Sequence, residues 1–540
     1  CPVDICSAPT GVERRRTATV RKTSLKRPAA GEESCKTGFF FNMERMFFET
    51  FSLFYNTAYI TEENDHGVCY NDKKYFGREE IRMKPILQRL SELGENYPFH
   101  MPGHKRNFMR NSILGDIMSI DITEITGYDD LHHPKDMIRE SMDFIKDVYG
   151  TRDSYFLINS STAGNLAAIS AACHIGDKIL IARNCHKSVY HAAELLGLHP
   201  VYVYPEVDAY GICCGITKEQ IQKILKKETG IKAAVIVSPT YEGRISDILG
   251  IAHLLHQQNI PLIVDEAHGA HFIFGEAFPK SAVSLGADIV IHSLHKTLPS
   301  LTQTGLLHLC TDRVTKEQMQ KKLSIFQSSS PSYILMASID RCIHSCAENK
   351  KSFQQYAAVL HKMRGKLSQL EHLRLVPSDD IGKIVISAKG TNITGKELFG
   401  RLRDRYHLEL EMSEISYVIA MTSICDTEEA LYHLVDALFE EDAQLEYQRE
   451  QENEIIFPHN KAVLSIEKAV RKPAKSIDLY KSEGKIAAEF VYLYPPGIPL
   501  IVPGEEISRS VIEKIEQYQK NHMEIIGYEN KKIKIMNERI

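Results

Sequence analysis

In the stretch "SLHKTLPSLTQTG", residues 293–305, Lys296 follows the apolar run "ADIVIHS", which reads as a buried strand. A lysine at the end of such a strand either snorkels to solvent or gives up its charge, because an unpaired buried ammonium is costly. In the uncharged form it is a nucleophile for carbonyl groups, a Schiff-base lysine. Three other strand ends carry polar residues in unusual density. "INSSTAGN" sets Ser160, Ser161, Thr162 and Gly164 at the turn into a helix, where they can cap the helix or cradle a phosphate. "VDEAHGAH" ends an apolar run on Asp265, Glu266 and His268; a carboxylate there is a turn residue or holds a heterocyclic nitrogen protonated. "RNCHKS" places His186 at a further strand end, as a structural imidazole or as a flat partner for a ring.

The elements that would position these residues alternate from 150 to 310. "SYFLINS", "DKILIAR", "HPVYVYP", "AAVIVSPT", "PLIVDEAH", "DIVIHSL" and "GLLHLC" read as strands, with "TAGNLAAISAAC", "HKSVYHAAELLG", "TKEQIQKILKK" and "ISDILGIAHLLHQQ" as helices between them. Strands that are apolar throughout and separated by helices indicate an α/β fold with a mostly parallel sheet covered on both faces. Ligands bind such sheets at the carboxyl ends of the strands, where the four polar clusters fall. Beyond one long helical stretch, "SPSYILMASIDRCIHSCAENKKSFQQYAAVLHKMRGKLSQL", a strand–helix–strand–helix order predicts a smaller α+β domain over 371–445. A charged linker then leads into a C-terminal domain, 446–540, centred on "VYLYPPGIPLIVPGEEI".

Residues 1–82 differ from the rest. They are basic, rich in Ser and Thr and without periodicity, as expected of a tail, a targeting segment or sequence outside the mature protein. Regular patterning begins near Met83, which predicts a native start there or at Met43 and a major domain over 83–370. The chain of 540 residues is 43% hydrophobic with a formal net charge of -5, which gives no bias towards nucleic acid or an anionic membrane. Twelve scattered cysteines without a CxxC pair fit a reducing cytoplasm and no zinc site. The most apolar run, "FFFNMERMFFETFSLF", is interrupted by Glu44, Arg45 and Glu49, so no membrane span is expected.

Taken jointly, a phosphate cradle, an acid, an imidazole and a lysine at one sheet edge are the requirements of pyridoxal 5′-phosphate. Lys296 would bond the aldehyde, Asp265 would keep the pyridine nitrogen positive, His186 would stack on the ring and the 160–165 turn would hold the phosphate. The segments "PFHMPGHKR", "DITEITGYDDLHHP", "NSSTAGN", "NCHKS", "SPTYEG", "VDEAHGAHF", "SLHKTLPSLTQTG" and "YPPGIPLIVPGE" resemble, in order, those of the Orn/Lys/Arg decarboxylase family. The resemblance implies a fold-type I enzyme of the aspartate aminotransferase-like architecture, with a seven-stranded major-domain sheet. It implies catalytic roles for Lys296, His186 and Asp265, and a cofactor shell of Ser161, Thr162, Ala163, His186, Asp265, Ala267, His268, Ser293, His295 and Lys296. It also implies a short biosynthetic-type enzyme of polyamine and diamine production, acting as a homodimer or higher homo-oligomer. Two positions depart from the family pattern: Ser160, where glycine is usual, and Leu294, where threonine is usual.

The activity so implied is decarboxylation of arginine, lysine or ornithine, with arginine favoured. A basic substrate side chain calls for a carboxylate. Asp121, Glu124, Asp129 and Asp130 in "DITEITGYDD", and Glu505 or Glu506 after "YPPGIPLIVPG", are the sequence candidates. Rival readings are an aminotransferase or aldol-type lyase on the same cofactor, and a non-catalytic paralogue. "GTNITGKE", 390–397, has the spacing of a phosphate loop, but Glu397 stands where a Mg²⁺-binding hydroxyl is needed, and a nucleotide site is rejected.

Overall fold

Seven short strands, none longer than seven residues and nearly all buried, make the central sheet of the computed structural model, which describes residues 85–91, 117–448, 458–494 and 497–537. The strands are β1 (Asp153–Leu157), β2 (Lys178–Ala182), β3 (His199–Val203), β4 (Ile231–Val237), β5 (Leu262–Asp265), β6 (Ile289–Ser293) and β7 (Gly305–Leu309). Their order is β1-β7-β6-β5-β4-β2-β3. β3, β2, β4, β5 and β6 run parallel, and β7 alone is antiparallel to both of its neighbours. Ile, Val, Leu and Ala fill both faces of β2, β4, β5 and β6 because helices cover the sheet on each side. The expected strands and helices of 150–310 are all present. Segments 1–82 and "PFHMPGHKR", with the expected start sites, lie outside the described residues.

Helix α1 (Ser160–Ala172) is rich in Ala, Ser and Gly, and that small surface lets it lie close on the sheet. A Cβ added to Gly164 would stand 2.6 Å from Leu157 Cδ1 and 2.9 Å from Ile291 Cγ2. The close approach fixes the N-terminus of α1 beside the ends of β1 and β6. α2 (Lys187–Leu195) follows β2, with His186 as its N-cap. α3 (Leu294–Thr297) is a single turn directly after β6 and carries Lys296.

A buried polar chain braces the sheet next to these ends. Glu266 accepts from Ser281 and lies 2.6 Å from His292 Nε2; His292 Nδ1 lies 3.1 Å from His308 Nε2, and His308 Nδ1 lies 2.8 Å from Ser154 Oγ. The chain joins β5, β6, β7 and β1, and each member is satisfied by the next, which is what permits such groups in an apolar interior. Glu266 is thereby turned away from its neighbour Asp265 and spent on structure.

The long helical stretch is two helices, α4 (Tyr333–Glu348) and α5 (Lys350–Leu367). Asn349 between them has φ −109° and ψ 42°, outside the helical region, so the chain turns at that residue. A second sheet follows, made of β8 (Arg374–Leu375), β9 (Lys383–Ser387), β10 (Met412–Ser413) and β11 (Tyr417–Met421) in the order β10-β11-β9-β8. Helices Gly395–Tyr406 and Glu428–Asp442 accompany it. Thr394 and Glu397 form a reciprocal cap on the first of these, so the "GTNITGKE" carboxylate occupies the helix N-terminus itself.

The C-terminal part holds two three-stranded sheets, drawn from Ala474–Asp478, Val491–Leu493, Pro499–Ile501, Ile525–Ile526, Tyr528–Glu529 and Lys532–Met536, with helix Arg509–Lys520. Residues 81–540 form one compact unit. Among the described residues no helix is long and apolar enough to cross a membrane, no group of His, Cys, Asp and Glu could hold a metal ion, and the eight cysteines are free.

Candidate active site

Lys296, Asp265, His186 and the start of α1 converge where β6, β5 and β2 end. Lys296 Nζ lies 2.9 Å from His268 Nε2, and burial lowers the affinity of this lysine for its proton while Asp265 and Glu411 oppose that effect. Lys296 is therefore held by an imidazole rather than snorkelling to an ion pair.

Asp265 is 4% exposed. Its oxygens accept from two neutral donors, Asn165 Nδ2 at 2.8 Å and the Ala267 N–H at 3.2 Å. Among the described residues no ion pair closes on it. A buried carboxylate with neutral donors alone is costly to desolvate, and it suits a cationic N–H arriving from a bound heterocycle. The same Asn165 amide donates to Ser188 Oγ at 3.0 Å, and that hydroxyl lies 3.0 Å from His186 Nδ1. One amide thus sets both Asp265 and His186. Burial pushes the His186 pKa down to about 4, so the ring is a neutral, flat surface at physiological pH. Gly497, at φ +81°, comes up against it: a Cβ there would stand 3.3 Å from His186 Cδ2. Gly497 of the C-terminal part therefore backs this histidine, and its positive φ favours glycine at that place.

The phosphate candidates also meet. Ser293 Oγ donates to Ser161 Oγ at 2.8 Å, joining the end of β6 to the start of α1. Asn159, the N-cap position of α1, makes no side-chain cap, because its Oδ1 accepts from the Ser328 N–H instead. In the first turn of α1 the N–H groups of Ser160 and Thr162 donate to the Gln303 carbonyl and Ser160 Oγ, which leaves the Ser161 N–H with the Ser161 and Thr162 hydroxyls to face an anion, and Ala163 opens the next, buried turn. Ser160 has φ +63°, the left-handed region in which glycine is at ease. Glycine would hold this conformation without strain; here the Ser160 Oγ accepts from the Thr162 N–H at 3.2 Å in partial return. Leu294 is fully buried, and His295 Nδ1 lies 3.0 Å from the Thr304 carbonyl.

The sequence candidates for a substrate side chain do not converge here. Glu505 is 1% exposed; its carboxylate accepts from Arg183 Nη2 at 3.0 Å, from Asn460 and from the Val502 N–H. Asp129 accepts the backbone N–H groups of Lys135, Asp136, Ile138 and Arg139, where a helix begins. Both are occupied by structure, because a buried carboxylate needs this many donors. Asp130 is held by the His132 N–H and His133 Nδ1, and Glu124 is exposed on the same loop.

Two residues unmarked in the sequence reading come in from the second sheet. Glu411, next to β10, accepts from the Tyr241 hydroxyl and acts electrostatically on Lys296. Lys383, the first residue of β9, is 1% exposed, and its Nζ lies 3.0 Å from His268 Nδ1. A lysine opening a strand reads as solvated, so the sequence carries no signal for its burial.

A lysine drawn from its proton by burial, a buried acid without a cation, a neutral imidazole and a hydroxyl-lined helix N-terminus are the groups that a phosphorylated aldehyde heterocycle would require at the strand ends of an α/β enzyme. The sequence agrees. Residues 85–402 match the profile of the Orn/Lys/Arg decarboxylase major domain, and residues 445–533 that of the Orn/Lys/Arg decarboxylase C-terminal domain. The chain is 32% identical over 453 residues to the arginine decarboxylase of Bacillus subtilis, across 80% of this chain and 92% of that protein. It is 32% identical over 468 residues to the arginine decarboxylase of Bacillus anthracis, across 83% and 95%. Among solved structures, the Francisella novicida lysine decarboxylase LdcF superposes with a TM-score of 0.73 at 20% identity, covering 84% of this chain and 81% of that one. The Escherichia coli constitutive lysine decarboxylase does so with 0.69 at 18%, with the same coverage. The chain belongs to the Orn/Lys/Arg decarboxylase family, whose fold and enzyme class are those the motifs implied.

Proposed function

We propose that the protein is a pyridoxal 5′-phosphate-dependent decarboxylase that releases CO₂ from a basic L-amino acid, arginine first, leaving agmatine; lysine and ornithine would give cadaverine and putrescine. The observation that carries this reading is Asp265, a carboxylate buried with only neutral donors and placed at the same sheet edge as the desolvated Lys296. The resemblance to proteins named arginine decarboxylase over most of both chains favours arginine.

Bound, the cofactor supplies a conjugated ring that takes up the electron pair left when the substrate carboxylate departs as CO₂. The chain's residues do the rest. Lys296 holds the cofactor by its amine, and Asp265 keeps a proton on the ring nitrogen, the charge arrangement that stabilises the transition state. His186, neutral and fixed through Ser188, would stack on the ring. Ser161, Thr162, Ser293 and His295 would hold the phosphate, and Ala163, Ala267 and His268 would complete the cofactor shell. Glu411 supports the substrate side chain: it is the carboxylate that acts on Lys296 from the opposing sheet, and a guanidinium or ammonium there would be drawn to it. Glu124, exposed, and Asp130, half-buried on the same loop, remain sequence candidates for the same contact. We propose further that the active species is a homodimer or a multiple of one, which the mass in solution would test.

Borohydride treatment of protein mixed with pyridoxal 5′-phosphate, followed by peptide mass analysis, tests the cofactor assignment. The expected result is one increment on the peptide containing Lys296. An increment spread over surface lysines, unchanged in Lys296→Ala, would reject it.

A further inference from the structure

Lys383 and Lys296 approach one imidazole from opposite sides, with Lys383 Nζ 3.0 Å from His268 Nδ1 and Lys296 Nζ 2.9 Å from His268 Nε2. A neutral imidazole has one N–H and one lone pair, so it accepts from only one of two ammonium groups. The other amine must be neutral and accept in its turn. Among the described residues no ion pair closes on Lys383. It faces the Tyr241 ring at 5.8 Å, and the charged groups that act on it are Asp380, Glu242, Glu411 and Lys296. Those that act on His268 are Lys296, Lys383, His186 and His295.

We propose that Lys383 is a positioning residue that, through His268, takes the proton from Lys296 and so leaves Lys296 as the free amine that bonds the cofactor. The step balances within the three side chains. The Lys296 Nζ–H bond breaks as His268 Nε2–H forms, and the His268 Nδ1–H bond breaks as a new N–H forms on Lys383. One positive charge moves from Lys296 to Lys383, and His268 exchanges one tautomer for the other. Burial pushes the Lys383 pKa down to about 8, which suits a group that accepts a proton near neutrality. Burial likewise holds His268 neutral by lowering its pKa well below the ordinary value, so the ring relays the proton without storing it. The arrangement differs from a neighbouring cation that merely depresses a nucleophilic lysine, because the second amine is joined to the first by hydrogen bonds.

The inference rests on the cofactor reading above, and its test separates the two. Cofactor-free protein is mixed with pyridoxal 5′-phosphate, and the rate of covalent loading on Lys296 is followed against pH for wild type, Lys383→Met and Lys383→Arg. Wild-type loading should rise as pH passes about 8. Both variants should load about 10²-fold more slowly there and need a higher pH, because neither methionine nor a guanidinium can take the proton. Were Lys383 needed only for charge or bulk, Lys383→Arg would restore the wild-type profile, and that result would overturn the proposal. The ¹⁵N resonances of His268 in the wild type give a second reading that survives a variant that fails to fold. The proton should sit on Nδ1 before loading and on Nε2 after it; one tautomer throughout would equally overturn the relay. No loading of wild-type Lys296 at any pH would instead remove the cofactor reading, and the relay with it.

Discussion

Arg183 and Glu505, 322 residues apart, form an ion pair whose side chains are 0% and 2% exposed, with Arg183 also donating to the carbonyls of Pro499 and Leu500. Burial works against the Arg183 charge, yet Glu505 holds its pKa above the ordinary value. The pair pins the C-terminal segment to the end of β2, one residue beyond Ala182 and three before His186. Glu505→Ala should therefore cost about 3–5 kcal/mol of stability in a denaturant titration, because the guanidinium is left buried alone. It should do so without selectively raising KM for a substrate with a basic side chain.

Glu411→Gln should have the opposite signature. The side chain is exposed and acts on Lys296 from the second sheet, so stability should change little. KM for the preferred basic amino acid should rise about 10–100-fold, the loss of one charge-assisted contact. Steady-state kinetics with arginine, lysine and ornithine would check it; an unchanged KM for all three would return the assignment to Asp130 or Glu124.

Asp265→Asn keeps the shape and the Asn165 contact while removing the charge. Covalent loading of Lys296 should persist, whereas kcat should fall on the order of 10²–10³-fold, the scale of one lost electrostatic stabiliser. Single-turnover CO₂ release by the loaded variant measures this directly.

His186 predicts a pH dependence of stability in the cofactor-free protein. Burial depresses its pKa from 6.5 to about 4, so between these values the unfolded chain binds a proton that the folded protein refuses. Stability then rises with pH across this window, and its contribution is complete above pH 6.5. On acidification from pH 6.5 to 4 about 3 kcal/mol should be lost through this group. The loss should be absent from the pH–stability curve of His186→Gln and should appear in full in its difference from wild type, as denaturation at several pH values would show.

How much of this was legible in the sequence depended on range. The strands of the large sheet could be read because a doubly covered sheet writes itself as apolar runs between helices, and the polar clusters at their ends stood out against that background. Ser161, Ser293, Asp265, His186 and Lys296 all lie at such ends, so fold topology alone gathers them. The break at Asn349 was hidden, since its neighbours keep helical spacing on both sides. Glu411 and Lys383 were invisible for another reason. They sit in a different sheet, and only tertiary packing carries "GKIVIS" and "LELEMS" to the lysine. Glu505 and Asp129 were misleading because a carboxylate's partners, hundreds of residues away or along the backbone, leave no local mark.

The most direct test of the central claim is CO₂ and amine measured together, from L-arginine, L-lysine and L-ornithine in separate reactions with pyridoxal 5′-phosphate, beside Lys296→Ala. Stoichiometric CO₂ and amine from a basic amino acid, arginine foremost, and none from the variant is the predicted result. No CO₂ from any of the three, or equal CO₂ from Lys296→Ala, would contradict the account.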